Sequence, residues 1–211
     1  MERHHLIISG TGRAGTTLLV QLFTQLGLDT GFTDTTSSVY DNCNGGMESD
    51  LRQPDAPYVV KSPWLCDYLD DVLQNGDTVI DHAIIPVRDL YSAAQSRRDV
   101  TEKTDPDEYP TPDIPGGLWH TENPDEQETI LAKQFYKLLF VIAKHDIPMT
   151  LVHFPRFAYE PAYLYWKIAP LLGDIGYGTF MTAFGEVGRP ELVHNFVGSV
   201  DRDVGASSLG G

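Results

Sequence analysis

The residues with the clearest chemical potential lie near the start of the sequence, in Gly10-Thr11-Gly12-Arg13-Ala14-Gly15-Thr16-Thr17. Small residues allow the backbone N–H groups of a loop to turn toward an anion, and threonine hydroxyls add further donors. A helix that begins after such a loop presents unpaired N–H groups and a positive dipole end to the same anion. Arg13 places a cation inside the loop. The segment predicts a phosphate-binding site; the alternative is a glycine-rich turn with no ligand.

The elements around this loop are predicted from hydrophobic patterning. The apolar run at 5–9 is typical of a buried parallel strand, and the spacing of leucines over 16–26 predicts a helix that ends before Gly27. Later strands are expected at 58–60, 82–87 and 148–154, and helices at 64–73, 90–100, 126–144 and 161–172. Strands that alternate with helices predict an α/β fold with a three-layer parallel sheet.

The whole chain, 1–211, is expected to form one domain, since its length suits a single core. The proline-rich, acidic stretch at about 101–128 predicts a long connection of the kind that often serves as a lid or binding loop. The glycine- and serine-rich end at about 203–211 predicts a frayed tail.

Composition excludes several classes of protein. The chain has 30 acidic and 15 basic residues, so non-specific binding to nucleic acid is not expected, because that needs a basic surface. No stretch approaches the ~20 apolar residues of a transmembrane helix. A cleaved signal peptide would remove the glycine-rich loop, so a cytoplasmic location is expected. Cys43 and Cys66, the two cysteines, are then expected to be free thiols.

The loop fits the pattern G-x-x-x-x-G-K-[ST] at every fixed position except the lysine, where Thr16 stands. Kinases and nucleoside triphosphatases use that lysine on the β- and γ-phosphates. Its absence counts against a small-molecule kinase, and so does the lack of a strand-end aspartate clearly placed for Mg²⁺. Arg13 is the cation that could replace the lysine.

The stretch Gly12-Arg13-Ala14-Gly15-Thr16-Thr17-Leu18-Leu19 resembles the 5′-phosphosulfate-binding loop of sulfotransferases. Enzymes of that family transfer a sulfuryl group from 3′-phosphoadenosine 5′-phosphosulfate (PAPS) to a hydroxyl or amine. The resemblance implies a P-loop fold of the sulfotransferase type. It also implies nucleotide contacts from the loop, at Gly12, Arg13, Ala14, Gly15, Thr16 and Thr17.

Two further elements resemble the same family and occur in the expected order. Arg88 ends a predicted strand and Ser96 follows eight residues later, as in the family's pair that binds the 3′-phosphate. Lys61-Ser62-Pro63 resembles the family's K-[ST]-P element, in which the lysine faces the sulfuryl group and the leaving oxygen. A lysine at the carboxyl end of a parallel strand also lies at the edge of the sheet where ligands bind.

The sequence departs from the family at the catalytic base. Cytosolic-type members have a histidine two residues after the lysine, where this chain has Pro63. Membrane-associated members use a glutamate from the segment after the first helix, and that segment here contains Asp34, Asp41, Glu48 and Asp50. Glu48 is the preferred candidate because it follows a flexible Asn-Gly-Gly stretch and precedes the strand that carries Lys61, and Asp34 is the second; acids in such a segment are more often exposed loop residues than catalytic ones. The seven histidines lack ligand spacing, so no metal is expected.

The expected function is transfer of a sulfuryl group from PAPS to a small-molecule or carbohydrate acceptor. Two alternatives stay open: a P-loop kinase of a small molecule, and a non-catalytic nucleotide-binding module of the same fold. Trp119 and His120, in the long connection, are candidates to face the acceptor, although an aromatic residue on a loop is more often a packing anchor.

Overall fold

The computed structural model describes residues 2–105, 114–194 and 196. Its strands are β1 (Arg3–Ile8), β2 (Val39–Tyr40), β3 (Gly45–Gly46), β4 (Val59–Lys61), β5 (Thr78–Val87) and β6 (Met149–His153). Its α-helices are α1 (Thr16–Gln25), α2 (Leu65–Gln74), α3 (Leu90–Lys103), α4 (Gln127–Lys144), α5 (Arg156–Tyr159), α6 (Pro161–Ile168) and α7 (Tyr177–Val187). Short 3-10 helices occupy Pro124–Glu126, Ala169–Leu171 and Pro190–Leu192.

Four strands form one parallel sheet in the order β4-β1-β5-β6. Strand β1 lies inside the sheet, where Leu6 pairs with Val59 on one side and with His82 on the other. The chain leaves β1 for β4 and then crosses to β5 on the opposite side. Ligands of open parallel sheets bind where the strand order reverses in this way, outside the carboxyl ends of the strands. The carboxyl end of β1 therefore lies at the place where a ligand site is expected.

Helices cover both faces of this sheet. On one face, α1, α6 and α7 pack around Leu6, Ile8 and Ile84. On the other face, α2 and α4 pack around Ile7 and Ile85. Because consecutive residues of a strand point to opposite faces, β1 contributes side chains to both cores, which explains its continuous apolar run. The α/β class with a parallel sheet between helices is confirmed.

The structure differs from the sequence-based expectations in several elements. The stretch at 29–57 contains the two-stranded hairpin β2–β3, and α7 occupies residues that no prediction covered. Helix α3 continues through Lys103 and α4 begins at Gln127, so the long connection is shorter at both ends than the predicted 101–128. The predicted frayed tail at 203–211 lies outside the described residues.

Within the described ranges, no helix is both long enough and apolar enough to cross a membrane.

Candidate anion-binding site

Residues 10–15 form a loop between the end of β1 and the start of α1, which we call the glycine loop. Gly12, Arg13 and Gly15 have φ angles of 66°, 53° and 77°, a left-handed backbone that turns N–H groups inward. Gly15 occupies the N-cap position of α1 and has no side chain with which to cap it. A Cβ atom at Gly15 would lie 2.7 Å from the rings of Phe154 and Phe157, so these two rings require glycine here.

Arg13 lies at the centre of the site. Its Nε donates to the Ser96 hydroxyl at 3.1 Å and its Nη1 donates to the Cys43 carbonyl at 2.6 Å. Burial lowers the pKa of the Arg13 guanidinium, and Cys43 partly offsets that shift. The side chain is therefore held between α3 and the β2–β3 hairpin, with its charge removed from bulk water.

The side chain of Arg88, directly after β5, binds the backbone of the glycine loop. Its Nη1 donates to the Arg13 carbonyl at 2.6 Å, and its Nη2 donates to the His194 carbonyl. The guanidinium also lies over the Phe154 ring, 5.2 Å from the ring centre. Burial and the neighbouring Arg13 charge lower the pKa of Arg88. Arg88 and Ser96 thus meet through Arg13, since one contacts its carbonyl and the other its guanidinium.

Arg97 is a third arginine at the site, and the sequence analysis missed it. Its Nη2 donates to the Thr11 carbonyl at 2.9 Å and its Nη1 donates to the Gly117 carbonyl at 2.8 Å. The side chain is only 3% exposed, and its buried Nε has no partner among the described residues. Burial, followed by the charge of Arg13, lowers its pKa. The available signal was its place beside Ser96 on a helix that begins at the ligand edge.

The guanidinium groups of Arg13, Arg88 and Arg97 meet at the glycine loop, where Asp99 offsets the charge of Arg13 only in part and Asp89 that of Arg88. Within the described part of the chain, none of their guanidinium groups forms an ion pair with a carboxylate; they donate to carbonyl oxygens and to one hydroxyl. Buried charges without a partner are costly, and arginine does not escape that cost by losing its proton. The arrangement favours a bound anion, which would neutralise the cluster.

Lys61 and Glu48 form a second charged group at the site. The Lys61 Nζ donates to Glu48 Oε1 and to the Gly46 carbonyl, each at 2.6 Å, and to the Thr17 hydroxyl at 3.3 Å. Lys61 is 4% exposed, and burial lowers its pKa while Glu48 opposes that shift. The pair links β4, the hairpin strand β3 and the first turn of α1.

The structure does not bring Asp34 to this group. Asp34 lies on an exposed turn, where its carboxylate accepts hydrogen bonds from the backbone N–H groups of Thr36 and Ser37 and from the Ser37 hydroxyl. These bonds, the Ser37 hydroxyl first, lower the pKa of Asp34 to about 2. Asp34 is absent from the described cavity wall, whereas Glu48 is part of it.

One cavity of about 680 Å³ connects these groups. Its volume falls in the ~300–1,000 Å³ range of small-molecule sites. Among the described residues, six basic side chains and two acidic ones line it, although the chain as a whole has twice as many acidic as basic residues. The predicted site residues that line it are Gly12, Arg13, Gly15, Thr16, Thr17, Glu48, Lys61, Arg88 and Ser96. Ala14 packs into the core beneath the loop instead.

The described residues contain no group of three histidine, cysteine or carboxylate side chains able to hold a metal ion. The two cysteines are free and buried, and Cys43 lines the cavity. A scan against models of known protein families finds no match to the chain, and no curated protein matches it.

Proposed function

We propose that the chain is a sulfotransferase that moves a sulfuryl group from PAPS to an acceptor hydroxyl or amine, on a P-loop fold of the sulfotransferase type. One observation carries the proposal. The glycine loop, Lys61 and the Arg88–Ser96 pair are distant in the sequence, and each resembles a sulfotransferase element. All three line a single cavity whose wall is basic in an acidic protein. If the three resemblances were accidental, there would be no reason for the three segments to meet in one cavity.

The positions of the cations suggest how the nucleotide is held. The glycine loop, the first N–H groups of α1 and Arg13 bind the 5′-phosphosulfate, because they combine backbone donors with a charge-assisted one. Arg88 and Ser96 bind the 3′-phosphate on the α3 side of the loop. Arg13 contacts both of these residues, so it joins the two phosphate positions.

The reaction is an in-line transfer, in which positioning and charge neutralisation supply most of the catalysis. The acceptor oxygen attacks sulfur, and the bond between sulfur and the bridging oxygen breaks. The electron pair of that bond stays on the 5′-phosphate of the departing 3′,5′-adenosine bisphosphate, where Lys61 stabilises the negative charge. Glu48 accepts the proton of the acceptor hydroxyl.

The contacts of Lys61 set a condition on this mechanism. An ammonium group has three N–H donors, and in the described structure Lys61 contacts three acceptors. One contact must be exchanged when the bridging oxygen arrives. The longest of them, the 3.3 Å contact to Thr17, is the one we assign to that exchange. The Thr17 hydroxyl, which also donates to the Gly46 carbonyl at 3.4 Å, then no longer accepts from Lys61.

Calorimetric titration tests the nucleotide class. We expect 3′,5′-adenosine bisphosphate to bind more tightly than 5′-AMP, because only the former has a 3′-phosphate for Arg88 and Ser96. Replacing Ser96 with alanine should reduce that difference. Ser92→Ala is the matched control, since Ser92 lies one turn earlier on α3 and its hydroxyl contacts the Phe196 carbonyl. Equal binding of the two nucleotides to the wild type would refute the proposal, and Mg²⁺-dependent binding of ATP alone would favour a kinase.

Transfer of radiolabelled sulfuryl from PAPS to an acceptor tests the reaction itself. Product formation with at least one hydroxyl or amine acceptor is expected. Tight binding of the bisphosphate without transfer to any of a broad set of acceptors would favour the non-catalytic module.

A further inference from the structure

Strand β6 forms an outer edge of the four-stranded sheet, next to β5 alone. The backbone groups of consecutive strand residues point alternately toward the neighbouring strand and away from it. The Pro148 carbonyl accepts from Ala83 and the Phe154 N–H donates to the Val87 carbonyl, each at 2.8 Å, so the even-numbered residues face β5. The N–H and C=O groups of residues 149, 151 and 153 therefore point outward from the sheet.

Only one end of this edge is covered. The His153 N–H donates to the Tyr163 hydroxyl at 3.0 Å, so α6 occupies the carboxyl end of the strand. Within the described residues, the N–H and C=O groups of Met149 and Leu151 have no hydrogen-bond partner. Proteins usually protect such an edge with charged side chains, proline or a bulge, and β6 contains none of these. The edge is therefore available to pair with another strand.

The side chains at the same edge are apolar and exposed. Met149 pairs with Ala83 and Leu151 pairs with Ile85, so both side chains point to the face of the sheet on which α2 and α4 pack. Ala83 and Ile85 are fully buried on that face, whereas Met149 is 46% exposed and Leu151 is 42% exposed. The helices of this face thus cover β5 and leave β6 bare.

Helix α4 extends the apolar surface beside β6. Its Tyr136 lines a cavity of about 250 Å³ with Pro86 and Val87 of β5, and Phe140 follows one turn later. Tyr136 is 71% exposed and Phe140 is 58% exposed. We call Tyr136, Phe140, Met149 and Leu151 the edge patch. These side chains expose on the order of 400 Å² together, which is large for a contiguous apolar patch on a monomer.

We propose that the edge patch is the interface of a symmetric dimer, in which β6 pairs with β6 of a second copy of this chain. A two-fold axis makes two copies of one strand antiparallel. With the axis at Thr150, Met149 lies opposite Leu151 of the partner subunit, and Leu151 lies opposite Met149 of the partner subunit. Each pair exchanges two N–H···O=C bonds, so all the outward groups of these two residues are satisfied. This inference does not depend on the proposed function.

The uncovered length of the strand sets this register. An axis at Leu151 would instead place Met149 opposite His153 of the partner subunit, whose N–H is already bonded to Tyr163. With the axis at Thr150, the opposed side chains of Met149 and Leu151 lie on one face and bury each other. The two sheets then join into one sheet of eight strands.

The chemistry of the edge patch favours a second copy over a basic partner. The chain has a formal net charge of −15, but the edge patch contains no charged residue that would attract a cation. A stable interface buries about 800 Å² on each partner, and the edge patch offers roughly half of that area. In the dimer, the paired backbones and the residues of α4 around the patch supply the remainder.

Sedimentation velocity of the full chain tests the dimer. We expect a reversible equilibrium between monomer and dimer across concentrations of about 1–100 µM. A single monomeric species over this range would refute the inference. Assemblies larger than a dimer would also refute it, because a two-fold interface closes on itself.

Variants locate the interface. Leu151→Lys should raise the Kd of the dimer at least about tenfold, because each dimer then buries two ammonium groups in an apolar contact. Trp166→Lys is the matched control, since Trp166 is 72% exposed on α6, outside the edge patch, and its Kd should stay unchanged. Thermal unfolding checks the fold of both variants. A dimer that is insensitive to Leu151→Lys would show that another surface forms it and would overturn the inference.

Amide exchange followed by NMR distinguishes a second copy from another segment of the same chain. The Met149 N–H should exchange slowly in the dimeric wild type and rapidly in monomeric Leu151→Lys. Slow exchange of this N–H in the monomer would show that the chain itself covers the edge, and rapid exchange in the dimer would show that β6 is unpaired. Either result would contradict the proposed pairing.

Discussion

Arg13 contributes to the site through two chemically separate parts. Its backbone carbonyl accepts a hydrogen bond from Arg88, whereas its guanidinium donates to Ser96 and to the Cys43 carbonyl. A side-chain substitution removes the second set of contacts and leaves the first in place. The contribution of the guanidinium to anion binding can therefore be measured without releasing Arg88 from the loop.

Arg13→Ala should weaken binding of 3′,5′-adenosine bisphosphate while the fold stays intact. The loss of a charge-assisted contact to phosphate costs about 1.5–3 kcal/mol, roughly a 10- to 150-fold increase in Kd. Calorimetry measures the Kd, and thermal unfolding checks the fold. Arg156→Ala is the matched control, since Arg156 pairs with Glu160 on the surface and does not line the cavity. An unchanged Kd in Arg13→Ala would place the anion elsewhere or leave it to the backbone alone.

Glu48 and Asp34, the two candidate bases, can be distinguished by conservative variants. Glu48→Gln should lower kcat at least about 100-fold, because loss of a general base typically costs 10²–10⁴ in rate. Asp34→Asn should leave kcat nearly unchanged, because Asp34 lies on an exposed turn away from Lys61. Initial rates of sulfuryl transfer give both values. A large loss in Asp34→Asn with little change in Glu48→Gln would reverse the assignment.

Glu48→Gln should also change how stability depends on pH. Burial already lowers the pKa of Lys61, and Glu48 opposes that shift, so the variant should lower this pKa further. Between the folded pKa and the normal lysine value, the unfolded state then binds more protons than the folded state. The free energy of unfolding should consequently rise with pH across that window, more steeply than in the wild type. Urea unfolding between neutral and alkaline pH measures the slope, and equal slopes would contradict the expected coupling.

At the scale of elements, the β2–β3 hairpin connects the two charged groups. The Cys43 carbonyl between its strands accepts from Arg13, and the Gly46 carbonyl in β3 accepts from Lys61. Gly46 has a φ of 124°, and a Cβ atom there would overlap the Ser38 carbonyl oxygen across the hairpin. The hairpin therefore keeps its shape, and so places both carbonyls, only with glycine at this position.

Gly46→Ala should lower the melting temperature and raise the Kd for the bisphosphate, because the added methyl group displaces β3 and the carbonyl that positions Lys61. Gly185→Ala is the control, because a methyl group at Gly185 meets open space. Gly185 lies in α7 with no atom within 4 Å of a built Cβ, so alanine should stabilise the protein by about 0.5–1 kcal/mol. Thermal unfolding and calorimetry measure both effects. A neutral Gly46→Ala would show that the hairpin adjusts freely.

The elements that the sequence predicted well are those with a long, unambiguous pattern. The buried run of β1 and the leucine spacing of α1 each predicted their element to within about two residues. Strands β2 and β3 have two residues each, too few to show an alternating pattern. Helix α7 contains Gly178 and Gly185, and glycine is a poor helix former, so packing against α1 rather than propensity forms it.

The site was partly predictable for a related reason. Residues adjacent to strand ends, such as Lys61 and Arg88, lie at the ligand edge of any parallel sheet, so topology alone brings them together. The buried side chain of Arg97 contacts the Thr11 carbonyl, and Glu48 contacts Lys61 because of the course that its loop takes. Tertiary contacts of this kind produce no local pattern in the sequence. For this reason Arg97 was missed, and Asp34 could not be separated from Glu48 as the candidate base.

At the scale of the whole molecule, an acidic protein encloses a basic cavity. The formal net charge is −15, yet Arg13, Arg88 and Arg97 converge on the glycine loop. The mutual repulsion of these arginines destabilises the unliganded protein, and an anion that binds between them relieves it. Binding of an anion should therefore stabilise the folded state by a measurable amount.

The bisphosphate at 100 times its Kd should stabilise the protein by about 2.7 kcal/mol, which for a chain of this size is a rise of roughly 5–10 °C in melting temperature. Differential scanning calorimetry measures the shift. Adenosine without phosphates is the control and should have little effect, because it offers no charge to the arginines. Equal shifts from adenosine and the bisphosphate would show that the base, and not the phosphates, provides the affinity.

The central position of β1 has a consequence for biosynthesis. Leu6 lies between Val59 and His82 in the sheet, and the glycine loop rests on Phe154 and Phe157. The phosphate-binding segment is therefore translated before the residues on which it packs, and it cannot assemble until Phe154 and Phe157 have been translated, because these long-range contacts must close first. Release of ribosome-bound chains of increasing length should recover anion binding only in those that extend past Phe157. Affinity for the bisphosphate would then report translation past Phe157, although the motif that binds the anion lies well before that residue in the sequence.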